Sequence, residues 1–157
     1  MTNSCLLKLL PLGIMLGLGC GELSDLAPVP NPPRGYPAAF ATPDCAPWDG
    51  RALTVVLAES PTDSLDGTYP QLWITVYPRG EAVAGRSFHW PETPEAGAGR
   101  RCLVARPCEA AASGEIRFRP THADTALEGS LVLRFGTGDS VYGGFRAEWR
   151  PRQVFCG

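Results

Sequence analysis

The sequence predicts an all-β protein: an immunoglobulin-like antiparallel β-sandwich of about seven short strands behind a disordered Pro-rich tether. Three observations carry this expectation. With 16 Pro and 18 Gly in 157 residues, the chain is interrupted too often for long helices. Apolar residues recur with period two in segment after segment from residue 52 onward. Clusters of turn formers, at residues 61–67 and 78–80, separate those segments.

Taken in order, residues 52–59 are rich in β-formers. Residues 71–77 place Leu72, Ile74 and Val76 on one face, and Trp73, Thr75 and Tyr77 on the other. Residues 86–90 and 101–105 read as short strands, and 108–113 is the one helical candidate, barely a turn long. Residues 115–119 alternate, with Ile116 and Phe118 inward and Glu115, Arg117 and Arg119 outward. The C-terminal hairpin is the strongest local signal. Leu127, Gly129, Leu131, Leu133 and Phe135 share a face, as do Val141, Gly143, Phe145, Ala147 and Trp149. Two registers keep these faces together. Pairing Phe135 with Val141 sets Glu128 against Glu148, whereas pairing Leu133 with Val141 sets Glu128 against Arg146 and Gly129 against Phe145. Like charges across a ladder repel and opposite ones attract, so the second register is expected. It also ends the loop in Gly138, which tolerates the left-handed conformation such a loop needs. Trp73, Phe118, Leu131, Leu133, Phe145 and Trp149 are expected to lead the core.

The first nineteen residues read as an export signal. Lys8 precedes eleven uncharged residues, 9–19, too short to span a bilayer as a helix and interrupted by Pro11 and three Gly. The run ends Leu16-Gly17-Leu18-Gly19-Cys20, which resembles the lipobox of bacterial lipoproteins, although Gly17 stands where that family prefers Leu. The resemblance implies cleavage before Cys20, diacylation of its sulfur and, with Gly21 rather than Asp next, retention at the outer membrane. Residues 20–44 then form the lipidated Cys and tether. Their prolines favour extended polyproline II, with a reach on the order of 70 Å at about 3.1 Å per residue. Residues 45–157 form the folded domain.

Six cysteines occur. Cys5 leaves with the signal and Cys20 takes the lipid, leaving Cys45, Cys102, Cys108 and Cys156. An even count in an exported chain implies disulfides in one of three connectivities. Cys102–Cys108, a short local loop, and Cys45–Cys156, which joins the domain's ends, are the favoured pairs. A zinc site needs closer ligand pairs than Cys-x₅-Cys with two scattered His supplies, so no metal or other cofactor is expected.

Residues 129–135 and 144–149, the Gly-rich turn between them and the terminal Cys156-Gly157 resemble small uncharacterised lipoproteins of GC-rich gliding bacteria. Several of those carry Cys where this chain has Arg150, and the resemblance implies no activity.

Little in the chain suggests catalysis. No Ser stands in a nucleophile elbow, and Asp63, Asp66 and Gly67 lack the spacing of a calcium loop. His89 alternates with Phe88 and Trp90, and His122 stands in a turn near Asp124. With a formal charge of −2 and no basic block, nucleic acid is not an expected partner. Trp73, Thr75 and Tyr77 form a candidate binding platform that Trp48 and Trp90 could join. The sequence therefore predicts a non-enzymatic, lipid-anchored cell-envelope protein with a binding or structural role. Its partners would be the membrane, through the anchor, and peptidoglycan, another glycan or an envelope protein. The alternative is an anchored inhibitor of a hydrolase, with residues 92–106 as the protruding loop. A hydrolase is the third reading, and it requires His89 or His122 to meet a carboxylate and a hydroxyl in one cleft.

Overall fold

The computed structural model describes residues 31–61, 68–79, 82–93, 96–120 and 126–156. Its strands are β1 (Ala38–Cys45), β2 (Arg51–Ala58), β3 (Gln71–Val76), β4 (Ser87–Trp90), β5 (Gly97–Cys102), β6 (Glu109–Phe118), β7 (Ala126–Phe135) and β8 (Ser140–Trp149). Neighbours run β6-β5-β3-β2-β1-β8-β7, and β7 pairs back onto β6. The seven strands thus close into a barrel, with β4 lying against the upper part of β6.

The closed barrel replaces the expected sandwich. Two stacked sheets would leave free edges, but here β1 pairs with β8 and β6 with β7, so the main sheet has none. Strand directions alternate around the ring. Seven is odd, so one neighbouring pair must run parallel. That pair is β1–β8, joined through only Phe40↔Glu148 and Ala41↔Trp149. With two register pairs, this seam and the β5–β6 ladder, Arg100↔Ala110 and Arg101↔Glu109, are the shortest around the ring. Below the β1–β8 seam, Gly144 N donates to the Asn31 carbonyl at 2.9 Å, and Tyr36 is buried in the core.

β1 occupies residues assigned above to the tether, so the folded unit begins before Cys45. Pro43 explains how a Pro-rich stretch can be a strand. The Ala41 carbonyl faces the β8 side, where it accepts from Arg150 N at 2.8 Å. Residues two apart present their polar groups to the same side, so Pro43 directs its missing donor beyond the last β8 pair and costs the β1–β2 ladder nothing.

Barrels of this strand number are just wide enough for side chains to fill. Leu53, Val55 and Leu57 of β2, Leu72, Ile74 and Val76 of β3, and Leu131 and Leu133 of β7 do so. Phe88, Phe118 and Phe145 add a run of edge-to-face rings, with centroids 6.0 and 5.9 Å apart. Trp90 lies over a floor of Gly97, Gly99 and Gly114, where an added Cβ at Gly114 would overlap its indole. The wall outside carries Glu115, Arg117, Glu128 and Arg146, with Arg117 paired to Glu115. Apolar inside and charged outside is the inverse of a transmembrane barrel.

The β7–β8 hairpin adopts the register expected from charge. Glu128 faces Arg146, Gly129 faces Phe145 and Leu133 faces Val141. Arg146 Nη1 lies 3.2 Å from Glu128 Oε1, and Gly138 has φ 87°. A Cβ on Gly129 would stand 2.7 Å from the Phe145 ring, so the glycine admits that ring. Ile116 and Phe118 point inward as read. The helical candidate at 108–113 instead belongs to β6, with an irregular register between Ala111 and Ser113. Trp149 is 42% exposed rather than core, because it ends β8 above the filled interior.

Arg101 closes the lower end. Its guanidinium lies 2.6 Å from Glu109, 3.3 Å from Asp139 and 4.3 Å from the Phe135 ring centroid. The hydrogen bond to Glu109 raises its already high pKa, so the plug stays cationic at any working pH. Burial raises the pKa of the nearby Tyr36 hydroxyl, and Arg101 opposes that only in part.

Candidate functional site

At the opposite end, the C-terminal ends of β1, β3 and β8 meet the N-terminal ends of β2 and β7. Here the barrel opens into a cavity of about 1040 Å³. Leu53, two residues before the core Val55, and Leu127, two before Gly129, line it together with Val83. The β1–β2 turn contributes Asp49 and Arg51. That turn is closed by Ala46 N donating to the Gly50 carbonyl at 2.7 Å, and it holds Asp49 at φ 62°. The remaining wall is Trp149 and the tail after it, with Arg152, Gln153, Val154 and Phe155.

The tail stays in place because Cys156 is joined to Cys45 at the end of β1, with Cα atoms 5.4 Å apart. Cys102–Cys108 forms the second disulfide, across the neck of the β5–β6 connection. Cys45–Cys156 therefore both staples the seam and fixes one wall of the mouth. Arg150 reinforces the same joint, lying 3.2 Å over the Phe40 ring centroid and donating to the Pro61 carbonyl at 2.7 Å.

Asp44 is among the residues at the cavity edge, and its carboxylate is fixed on the outer face of the wall. Its Oδ1 accepts from Cys45 N at 2.9 Å and its Oδ2 from the Thr54 hydroxyl at 2.8 Å. Thr54 has one hydroxyl proton and gives it to Asp44, so the 2.8 Å contact with Thr75 is donated by Thr75. Thr75 of the candidate platform thus belongs to a Thr75–Thr54–Asp44 chain on the outer face.

The other platform residues share its face, the outer face of β3, but do not form an open surface. Trp73 Nε1 donates to Gln71 Oε1 at 3.0 Å, and Arg100 covers its ring 5.0 Å from the centroid. Tyr77 packs edge-on against Trp48, with centroids 4.9 Å apart, and its pKa is raised by burial and then by Asp44. Trp48 therefore joins the group. Trp90 cannot, being inside the barrel.

His89 points outward from β4, its Nδ1 3.8 Å from Glu115 Oε2, away from the mouth. Residues 92–106 are not one protruding loop. β5 takes 97–102 into the barrel wall, leaving 103–106 as the exposed turn, with Leu103 60% and Val104 58% exposed. Among the described residues, no group of three or more His, Cys, Asp and Glu side chains could hold a metal ion, and no helix is long and apolar enough to cross a membrane. Cys20, His122, Asp124, Asp63, Asp66 and Gly67 lie outside the described residues.

Sequence reasoning did not find the mouth. Its floor residues read as ordinary core, and its tail, after Pro151, carries no strand signal. The available clue was Cys156, whose bond to Cys45 brings residues 152–155 against the end of β1. In comparison with known proteins, the chain matches no family model, no curated protein and no solved structure.

Proposed function

We propose that this is an exported, lipid-anchored envelope protein whose barrel is a binding module, with the mouth as its binding site. The lipobox-like residues 16–20 supply the anchor at Cys20. Two disulfides suit an oxidising compartment outside the cytosol. The observation that carries the binding role is the cavity itself. At about 1040 Å³ it falls at the upper end of the size of small-molecule sites, which occur preferentially in places such as barrel mouths. It has an apolar floor and a polar rim, and the Cys45–Cys156 bond that staples the seam also holds one of its walls.

The uncharged dye N-phenyl-1-naphthylamine tests this reading. The folded protein is expected to bind it saturably, with enhanced dye emission. Replacing both Val154 and Phe155 by Ser, in a tail outside the core, should weaken binding at least tenfold without shifting the thermal melt. Equal dye binding by this variant, or none by the parent, contradicts the proposal.

A further inference from the structure

Resting on that reading, we infer that the mouth takes an uncharged saccharide, stacked on the rings of Trp149 and Phe155 and held at its hydroxyls by Arg152 and Gln153.

The shape of the barrel gives the first argument. Leu72, Ile74, Ile116 and Leu133 are fully buried inside it, and Phe88, Trp90, Phe118 and Phe145 are nearly so. A long acyl chain therefore has nowhere to thread, and a ligand must lie across the mouth. The rings give the second. Six large rings, Phe40, Phe88, Trp90, Phe118, Phe135 and Phe145, are at most 5% exposed, whereas Trp149 is 42%, Trp48 47%, Tyr142 71% and Phe155 85% exposed. Of these exposed rings, Trp149 and Phe155 line one cavity. Folding gains little from leaving them in water, and a flat apolar face laid against them would recover that area.

The rim gives the third. Two Asp (Asp44, Asp49) and two Arg (Arg51, Arg152) line the cavity, so their charges cancel and neither an anion nor a cation is favoured. Carboxylate, amide and guanidinium are planar groups with paired acceptors or donors, suited to neighbouring hydroxyls. A pyranose presents both surfaces these residues ask for: a C–H face for the rings and an edge of hydroxyls for the rim.

The probe is the neutral β-1,4-linked tetramer of N-acetylglucosamine, titrated into the full chain with tryptophan emission as the readout. Saturable binding is expected, weakened at least tenfold in Trp149→Ala and in Phe155→Ala and retained in Trp48→Ala, whose ring lies against Tyr77. Competition with N-phenyl-1-naphthylamine should be mutual. Dye binding without any response to the tetramer at millimolar concentration overturns the saccharide and leaves the mouth a binding site. Failure of both ligands overturns the mouth as well. Tetramer binding that survives both Trp149→Ala and Phe155→Ala places the sugar elsewhere and also overturns the inference.

Discussion

Trp90→Ala is expected to destabilise the protein by about 3 to 5 kcal/mol, the usual cost of emptying a large aromatic site in a packed core. The reason lies in the floor beneath the ring. Gly97, Gly99 and Gly114 have no side chains with which to close the void, and backbone shifts large enough to fill it would break the ladders that β5 and β6 hold on either side. Denaturant unfolding followed by circular dichroism measures the loss. Trp90→Phe supplies the control. The indole Nε1 is buried and finds no hydrogen-bond partner among the described residues, so phenylalanine removes a poorly satisfied donor along with some volume. Phe should therefore cost clearly less than Ala. A loss below about 1 kcal/mol for Trp90→Ala, in the range of surface substitutions, would show that the indole does not fill the barrel.

Removing the Cys45–Cys156 disulfide, as Cys45→Ser with Cys156→Ser, is expected to cost roughly 4 to 5 kcal/mol in the loop-entropy description. The bond closes a sequence separation of 111 residues, against 6 for Cys102–Cys108, for which the same description gives only about 2 kcal/mol. The position of the bond shapes the response. The β1–β8 seam has two paired positions, as does β5–β6, which keeps the Cys102–Cys108 bond in this variant, whereas β7–β8 has nine. Once unstapled, the barrel should open there first. Hydrogen exchange is expected to accelerate in β1 and in the upper half of β8 before the lower part of the β7–β8 hairpin. Uniform acceleration around the ring would contradict the seam, and a smaller loss than that from Cys102→Ser with Cys108→Ser would contradict the ranking.

What was legible in the sequence was local. The β7–β8 register followed from one charge comparison, Glu128 against Arg146 or Glu148, because a two-residue shift of the pairing keeps the faces but changes which side chains meet. Ile116 and Phe118, and Leu72, Ile74 and Val76, face inward because period two specifies a face wherever one side is buried. What was illegible was closure. Alternation fixes a strand's faces without naming its neighbours, so sandwich and barrel read alike. The strand that decides between them, β1, is written Ala38-Ala39-Phe40-Ala41-Thr42-Pro43, with small residues inside and a proline near its end. It reads as tether until its partners are known. The mouth was hidden for the same reason, since it exists only where β1, β8 and the tail converge. Trp73, Thr75 and Tyr77 were correctly grouped on one face, but the cover over Trp73 comes from Arg100 on the neighbouring strand, which no local pattern reveals.

In the proposed account, export links the anchor, the disulfides and the envelope ligand. It is tested most directly by the intact mass of the protein extracted from the membranes of cells that make it, recorded with and without reductant. The account predicts a chain beginning at Cys20, heavier than its peptide by the acyl groups it carries. It further predicts a gain of four hydrogen masses on reduction, two for each of two disulfides. A chain that retains residue 1, bears no lipid and shows no mass change on reduction would contradict it.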